Sequence, residues 1–249
     1  MIELRNVHKK FGSHVVLDGV DFSVATGETV ALLGPSGSGK SVLLKHIIGL
    51  MRPDQGDVLV DGESVPRLSR AALAALRTKI GYAFQTGALF DSMTVFENIR
   101  LGITDDACYR DRAFCRTRAA ECLRLVNLSE EVGRLMPAAL SGGMKKRVGI
   151  ARAIAGHPEY LLYDEPTSGL DPVNADAMDA LIERLQQELH VTSVVVSHDV
   201  RGSFKIADRI ALLHNGRIRA VGTAEEFMAA KDTVVREFLE RDVQFAAEG

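Results

Sequence analysis

The chain has 249 residues, 46% of them hydrophobic and 25% charged, with a formal net charge of −3. That length suits one large α/β domain carrying a smaller insertion, and the composition is that of a folded chain rather than a disordered one. The negative balance argues against a general nucleic-acid binder, and no stretch approaches the ~18 consecutive apolar residues that a membrane-spanning helix needs.

The start, MIELRNVHKKFG, is strand-like and lacks the charged stretch and apolar run of a secretory signal. The expectation is a protein that stays in the cytosol unless something holds it at a membrane. Ile2 and Leu4 alternate on one face, as do Val20, Phe22 and Val24, which predicts half-buried antiparallel strands. After Gly27, residues 28–33 run Glu-Thr into the apolar Val30-Ala31-Leu32-Leu33, as expected of a strand buried on both faces. A glycine-rich loop and a helix from Lys40 to about Leu50 follow. Val58-Leu59-Val60 ends at Asp61-Gly62, a hairpin turn signal.

Residues 69–77 read as helix and 79–84 as strand. From about Gly87 to Gly156 strand signals vanish, and helices are expected over 112–125 and 144–155. Strand patterns return at 160–163 and 193–196, with Met178, Leu181, Ile182, Leu185 and Leu189 at helical spacing between them. The alternation implies a parallel-sheet core with a helical insertion. Cys108, Cys115 and Cys122 recur every seven residues, one helical stripe with about 10 Å between members. That is too far for a disulfide and wrong for a compact metal site, so they are expected to pack.

Gly34-Pro35-Ser36-Gly37-Ser38-Gly39-Lys40-Ser41 completes the G-x-x-x-x-G-K-[ST] pattern between an apolar strand and a helix. Glycines let the backbone curl so that successive N–H groups face phosphate oxygens, and the helix N-terminus adds partial positive charge. Lys40 is expected to reach the β- and γ-phosphates of a nucleoside triphosphate, and the Ser41 hydroxyl to ligate Mg²⁺. Leu161-Leu162-Tyr163 runs into Asp164 and Glu165. Asp164 is placed to hold the metal and Glu165 to polarise an attacking water, a sufficient set for phosphoryl transfer.

Leu140-Ser141-Gly142-Gly143-Met144 resembles the LSGGQ signature of the ABC ATPases, with further matches in the family's order along nearly the whole chain. Phe11 stands where the family places an aromatic under adenine. Gln85 matches the glutamine that joins core to helical arm and senses the metal. Ser168-Gly169-Leu170-Asp171 matches the loop that crosses the dimer interface, and His198 matches the switch histidine that holds the γ-phosphate. By itself His198 also reads as a hydrogen-bonded histidine at a strand end, and Phe11 as a core aromatic.

The resemblance implies an α/β fold: a RecA-like P-loop NTPase core with an N-terminal antiparallel β subdomain and an inserted α-helical subdomain. The core is expected over 1–86 and 157–222, the helical subdomain over 87–156 and a helical tail over 223–249. It also implies ATP and Mg²⁺, and a second copy whose Ser141, Gly142 and Gly143 close on the γ-phosphate in a head-to-tail dimer. Ser141 is a good N-cap for the helix behind it, making a second anion-binding terminus. Met144 departs from the family's glutamine, so one polar contact is absent. Lys145, Lys146, Arg147 and Arg152 are expected to form a solvated basic face.

The segment 86–99, Gly-Ala-Leu-Phe before Thr-Val-Phe-Glu-Asn, resembles that of the Mla-type (toluene-tolerance) phospholipid-transport ATPases. Met144, residues 197–200 and residues 235–239 lean the same way. This implies an integral membrane permease reached through residues 86–99, an MCE-domain lipid-binding protein, a STAS-domain regulator, and a place at the cytoplasmic side of the inner membrane. No nucleic acid is implied. Val234, Val235, Phe238 and Leu239 predict a short amphipathic helix that packs either on another subunit or on its own chain. The competing functions are an ATPase for import of a small polar solute such as an amino acid, and an ABC ATPase acting on ribosomes or DNA. A small-molecule kinase is disfavoured by the signature loop and Glu165, since a kinase needs an acceptor site in place of an activated water.

Overall fold

The computed structural model describes residues 1–247, with side chains through Glu240. In chain order the elements begin β1 (Ile2–Phe11), β2 (His14–Val24), β3 (Thr29–Leu33), α1 (Lys40–Ile47), β4 (Gln55–Val60), β5 (Glu63–Ser64), α2 (Arg70–Thr78) and β6 (Ile80–Ala83). Helices α3 (Val95–Arg100), α4 (Asp106–Arg110), α5 (Arg112–Leu125) and α6 (Gly142–Ile154) follow. Then come β7 (Tyr160–Asp164), α7 (Pro172–Leu189), β8 (Thr192–Ser197), α8 (Val200–Ile206), β9 (Arg209–His214), β10 (Arg217–Gly222), α9 (Ala224–Met228) and α10 (Thr233–Ala247). The chain divides into two compact units, Met1–Leu73 with the chain from Thr192 on, and Ala74–Val191.

The first unit holds an antiparallel sheet in the order β2-β1-β4-β5. Ile2 opposes Val24 and Leu4 opposes Phe22, all four buried, as their alternation predicts. Asp61 and Gly62 both take positive φ, 52° and 80°, the geometry a two-residue hairpin loop demands. A second set of strands runs β10-β9-β3-β8. Here β3 pairs parallel with both β8 and β9, and all five of its residues are buried. The β9–β10 hairpin turns at Asn215-Gly216, where φ is again positive.

The tail helix packs on its own unit. Val235 is fully buried with Phe227, Ile210 and Leu212, and Val234, Phe238 and Leu239 cover the same cluster. Of the two expected roles for this stripe, packing within the chain accounts for these four residues. Residues 248 and 249 of the expected tail, and side chains past Glu240, lie outside the described residues.

His46, fully buried on α1, donates its Nδ1–H to the Val42 carbonyl at 2.7 Å. Burial pushes its pKa below the usual histidine value. The unfolded chain therefore takes up the proton first, and the stability contributed by neutral His46 is present above pH ~6.5 and lost as the pH falls below it. Denaturant midpoints are expected to drop between pH 8 and pH ~5.5, and to drop less in His46→Gln. Equal drops in both proteins would remove His46 as the cause.

In the second unit β6 and β7 pair in parallel, with Tyr82 opposite Leu162 and Ala83 opposite Tyr163. Helix α6 lies against β6. Gly81 permits the close approach: a Cβ there would stand 2.4 Å from the Ala153 carbonyl oxygen. Met178, Leu181, Ile182 and Leu185 form the buried stripe of α7, with Leu189 half-buried. The stretch from Phe84 to Glu159 carries no strand. The single cysteine stripe is corrected: Asp111 caps the start of α5, so Cys108 sits on α4 while Cys115 and Cys122 are buried on α5. No described helix is long and apolar enough to cross a membrane.

Candidate active site

The first unit carries the phosphate loop, which leaves the buried end of β3 and feeds α1. Gly34 and Gly39 are the two loop positions where a Cβ would also collide with neighbouring atoms. A Cβ on Gly34 would lie 2.2 Å from the Leu213 carbonyl oxygen, and Gly39 sits at φ 105° with Val16 and Leu17 at 3.0 Å from its Cβ position. Pro35, Ser36 and Gly37 are exposed. Lys40 is 5% exposed, and its ammonium donates to the carbonyls of Gly34 at 2.7 Å and Pro35 at 3.1 Å. The lysine thus closes the loop across its own mouth. The Ser38 hydroxyl is buried in the loop without a hydrogen-bond partner. An orphaned donor in a ring of curled backbone is what an anion such as phosphate satisfies.

Parallel pairing of β3 and β8 sets Leu33 opposite Ser197. Gly34 and His198 therefore leave adjacent strands at one level, which brings His198 beside the loop's entry. His198 is exposed. Beyond it Asp199 caps α8, accepting the Gly202 N–H, while the Ser197 hydroxyl oxygen accepts the Asp199 N–H at 3.0 Å. A cavity of about 370 Å³ borders the loop at Pro35–Ser38, walled by His14, Val15 and Val16 of β2 and by the Asn215-Gly216 turn. Phe11, 47% exposed, stands at the end of β1 opposite His14, with the Lys9 ammonium 5.7 Å from its ring centre. It is not a core residue.

The second unit carries the carboxylates and the signature. Asp164 ends β7 and is 8% exposed; the Tyr82 hydroxyl on β6 donates to its Oδ2 at 2.8 Å. Burial, reinforced by the Asp164 charge, pushes the Tyr82 phenol far above its usual pKa, so the proton stays on the tyrosine. Glu165 follows at φ 53°, a left-handed conformation that costs a non-glycine residue on the order of 1–2 kcal/mol. The surroundings hold it there. Lys146 of α6, 9% exposed, donates from Nζ to the carbonyls of Glu165 at 3.1 Å and Pro166 at 3.0 Å. Burial lowers the Lys146 pKa, and the Glu165 charge opposes that shift.

Ser141 caps α6, its hydroxyl oxygen accepting the Met144 N–H at 3.2 Å, and leaves Ser141 and Gly142 exposed at the positive end of a 13-residue helix. Gln85 donates from Nε2 to the Ser168 hydroxyl at 3.3 Å, which joins the segment after β6 to the loop before α7. Asp171 caps α7, accepting from the side-chain amide and the backbone N–H of Asn174, and these hydrogen bonds hold its pKa below the usual carboxylate value.

Two of the four basic residues expected on a solvated face are elsewhere. Lys146 is buried on the Glu165 turn, and Arg152 donates to the carbonyls of Ala88 at 2.7 Å and Gly87 at 2.8 Å. The sequence signal for Lys146 was present: it shares an i, i+4 stripe with Ile150 and Ile154, both buried. Tyr82 was also missed, and nothing in the sequence alone sets its register against β7.

The segment 86–99 is tightly built. Asn98 is fully buried; its amide donates to the carbonyls of Phe90, Met93 and Thr94 at 3.0–3.2 Å and its oxygen accepts the Phe90 N–H at 2.8 Å. Thr94 and Glu97 form a capping box on α3. Beside it lies a cavity of about 300 Å³ lined by Thr94, Phe96, Glu97, Arg100, Arg112 and Arg116, with Cys115.

Residues 17–168 match the ABC transporter family. The chain is 38% identical over 239 residues to the intermembrane phospholipid transport system ATP-binding protein MlaF of Haemophilus influenzae, covering 96% of this chain and 90% of that protein. It is 42% identical over 235 residues to the sulfate/thiosulfate import ATP-binding protein CysA of Caulobacter vibrioides, covering 93% of this chain and 67% of the relative. Among solved structures, the dimeric post-hydrolysis state of an ATP-binding cassette bound to ADP and Pi superimposes with a TM-score of 0.82 at 35% identity, over 90% of this chain and 99% of that one. The phosphate loop, the Asp164-Glu165 pair and the capped signature helix are thus accounted for together: the chain belongs to the ABC transporter family and is one of its ATP-hydrolysing cassettes.

Proposed function

We propose that the chain powers phospholipid movement through a separate membrane permease. The observation that carries this is the end-to-end match to the MlaF protein of Haemophilus influenzae, 96% of one chain against 90% of the other. The importer relative is slightly more identical, yet a third of its length has no counterpart in the match. The phospholipid reading places the protein at the cytoplasmic side of the inner membrane, with an MCE-domain protein and a STAS-domain regulator as further partners. The permease would meet the segment 86–99, whose Asn98 staple and Arg-lined cavity offer a stiff, cationic seat.

In the proposed cycle two copies sandwich two ATP molecules. The loop 34–41 holds the phosphates, with Lys40 turning from its own carbonyls to the γ-phosphate and Ser38 donating from its buried hydroxyl. Phe11 stacks on the base. Ser141, Gly142 and Gly143 of the second copy close the site, and Asp171 lies at the crossing between copies. Ser41, Asp164 and the Gln85 oxygen are hard oxygen donors of the kind Mg²⁺ prefers, and the hydroxyl donated by Tyr82 fixes one Asp164 oxygen in place. When bound, Mg²⁺ neutralises charge on the β- and γ-phosphate oxygens. Glu165 orients the attacking water and accepts its proton, while His198 donates to the γ-phosphate.

Purification of the protein from mildly solubilised native membranes, with mass spectrometry of its companions, tests this. An integral permease with an MCE-domain protein is the expected outcome. A permease with a sulfate- or amino-acid-type binding protein would replace the lipid reading by the import one.

A further inference from the structure

We propose that Lys146 is a positioning residue for hydrolysis: its buried ammonium clamps the backbone turn that aims Glu165, and so ties the base to the signature helix. The inference rests on the role of Glu165 proposed above and deepens it.

Three observations converge on this turn. Glu165 is held in the left-handed region at φ 53°, and the proline after it narrows its options further. A turn of that kind persists only when neighbouring groups over-determine it. The neighbours here are the two ammonium hydrogen bonds, to the carbonyl of Glu165 itself and to that of Pro166. Lys146 reaches them from five residues beyond the Ser141 cap, on the face of α6 that also buries Ile150 and Ile154.

A buried, desolvated ammonium is costly to keep, and a hydrophobic side chain of similar volume would serve packing alone at least as well. What the lysine adds is direction: charge-assisted donors on two successive carbonyls fix the peptide plane from which the Glu165 side chain departs. The same helix grips the segment after Gln85 one turn and a half further on, where Arg152 holds the carbonyls of Gly87 and Ala88. A shift of α6 when its N-terminus engages phosphate is therefore felt at the base as well as at residues 87–88. Lys146 acts through Glu165 and not on the reacting atoms.

The test uses the full chain in three variants, Lys146→Met, Lys146→Gln and Lys146→Arg, with steady-state ATP hydrolysis, Mg·ATP binding and thermal melts. Lys146→Met is expected to lower kcat by ~10–100-fold with the KM for ATP within about twofold of the parent, because a misaimed base costs rate and not binding. Lys146→Gln, shorter and uncharged but still a donor, falls between, and Lys146→Arg restores most of the rate. In a Glu165→Gln background Lys146→Met is expected to cost nothing more, since both changes disable one device. Parental kcat in Lys146→Met or Lys146→Gln overturns the proposal. So does a loss that is undiminished in the Glu165→Gln background or that tracks the melting temperature, either of which marks a general packing role. Parental turnover in Glu165→Gln alone would instead remove Glu165 as the base, a distinct result.

Discussion

Replacing Glu165 with glutamine is expected to lower ATP turnover by about 10²–10⁴-fold, the range lost when a positioned general base is removed. The amide keeps the size and the hydrogen-bonding reach of the carboxylate but cannot take a proton. Its backbone would remain in the left-handed turn held by Lys146, since those bonds are to carbonyl oxygens and not to the side chain. ATP affinity should change little, and an ATP-bound species of twice the monomer mass should accumulate, visible by size-exclusion chromatography with light scattering. Hydrolysis at the parental rate would exclude Glu165 as the base.

Lys40→Ala is expected to fail at the earlier step, weakening ATP binding by roughly 10²–10³-fold, the scale of losing one partner of a desolvated charge pair. The loop would suffer as well. Gly34 and Pro35 lose the ammonium their carbonyls accept from, so part of the loop's own closure goes with the charge. Titration with a fluorescent ATP analogue separates the two variants: unchanged affinity in Glu165→Gln, a collapsed signal in Lys40→Ala. Intact affinity in Lys40→Ala would confine the lysine to the transition state.

Most of the phosphate-loop half of the site was legible in the sequence because it is contiguous. Strand β3, the loop and α1 follow one another without interruption, and local chemistry, buried run, glycines and helix start, dictates each. The signature was legible for the same reason, Ser141 preceding two glycines and a helix. Features that depend on register were not. Tyr82 meets Asp164 only because β6 and β7 pair with Ala83 opposite Tyr163. The charge of Lys146 and Arg152 points to water, whereas the helical period puts Lys146 among isoleucines. The β9–β10 hairpin is a local feature that the expectations above lack, although Asn215-Gly216 between the two strands is a hairpin turn signal. The cysteine stripe failed through a neglected cap: Asp111 accepts the N–H groups of Ala113 and Phe114 and starts a new helix between the first cysteine and the second.

Asn98 fuses the turn at residues 90–94 to the helix that follows it, with its amide on three carbonyls and its oxygen on one N–H. Mechanically this makes a short rod. No hinge can open between Phe90 and α3 without stranding four hydrogen-bonding contacts in a dry interior, so bending strain applied to the rod must pass to its ends. Upstream, the rod meets its neighbour at Gly87, at φ 76° and packed so closely that a Cβ would come within 2.5 Å of the Lys145 carbonyl oxygen. That carbonyl belongs to α6. A load taken up by the rod is therefore delivered undamped onto the signature helix, and the stiffness of one asparagine sets how faithfully a displacement at the far end is reproduced there.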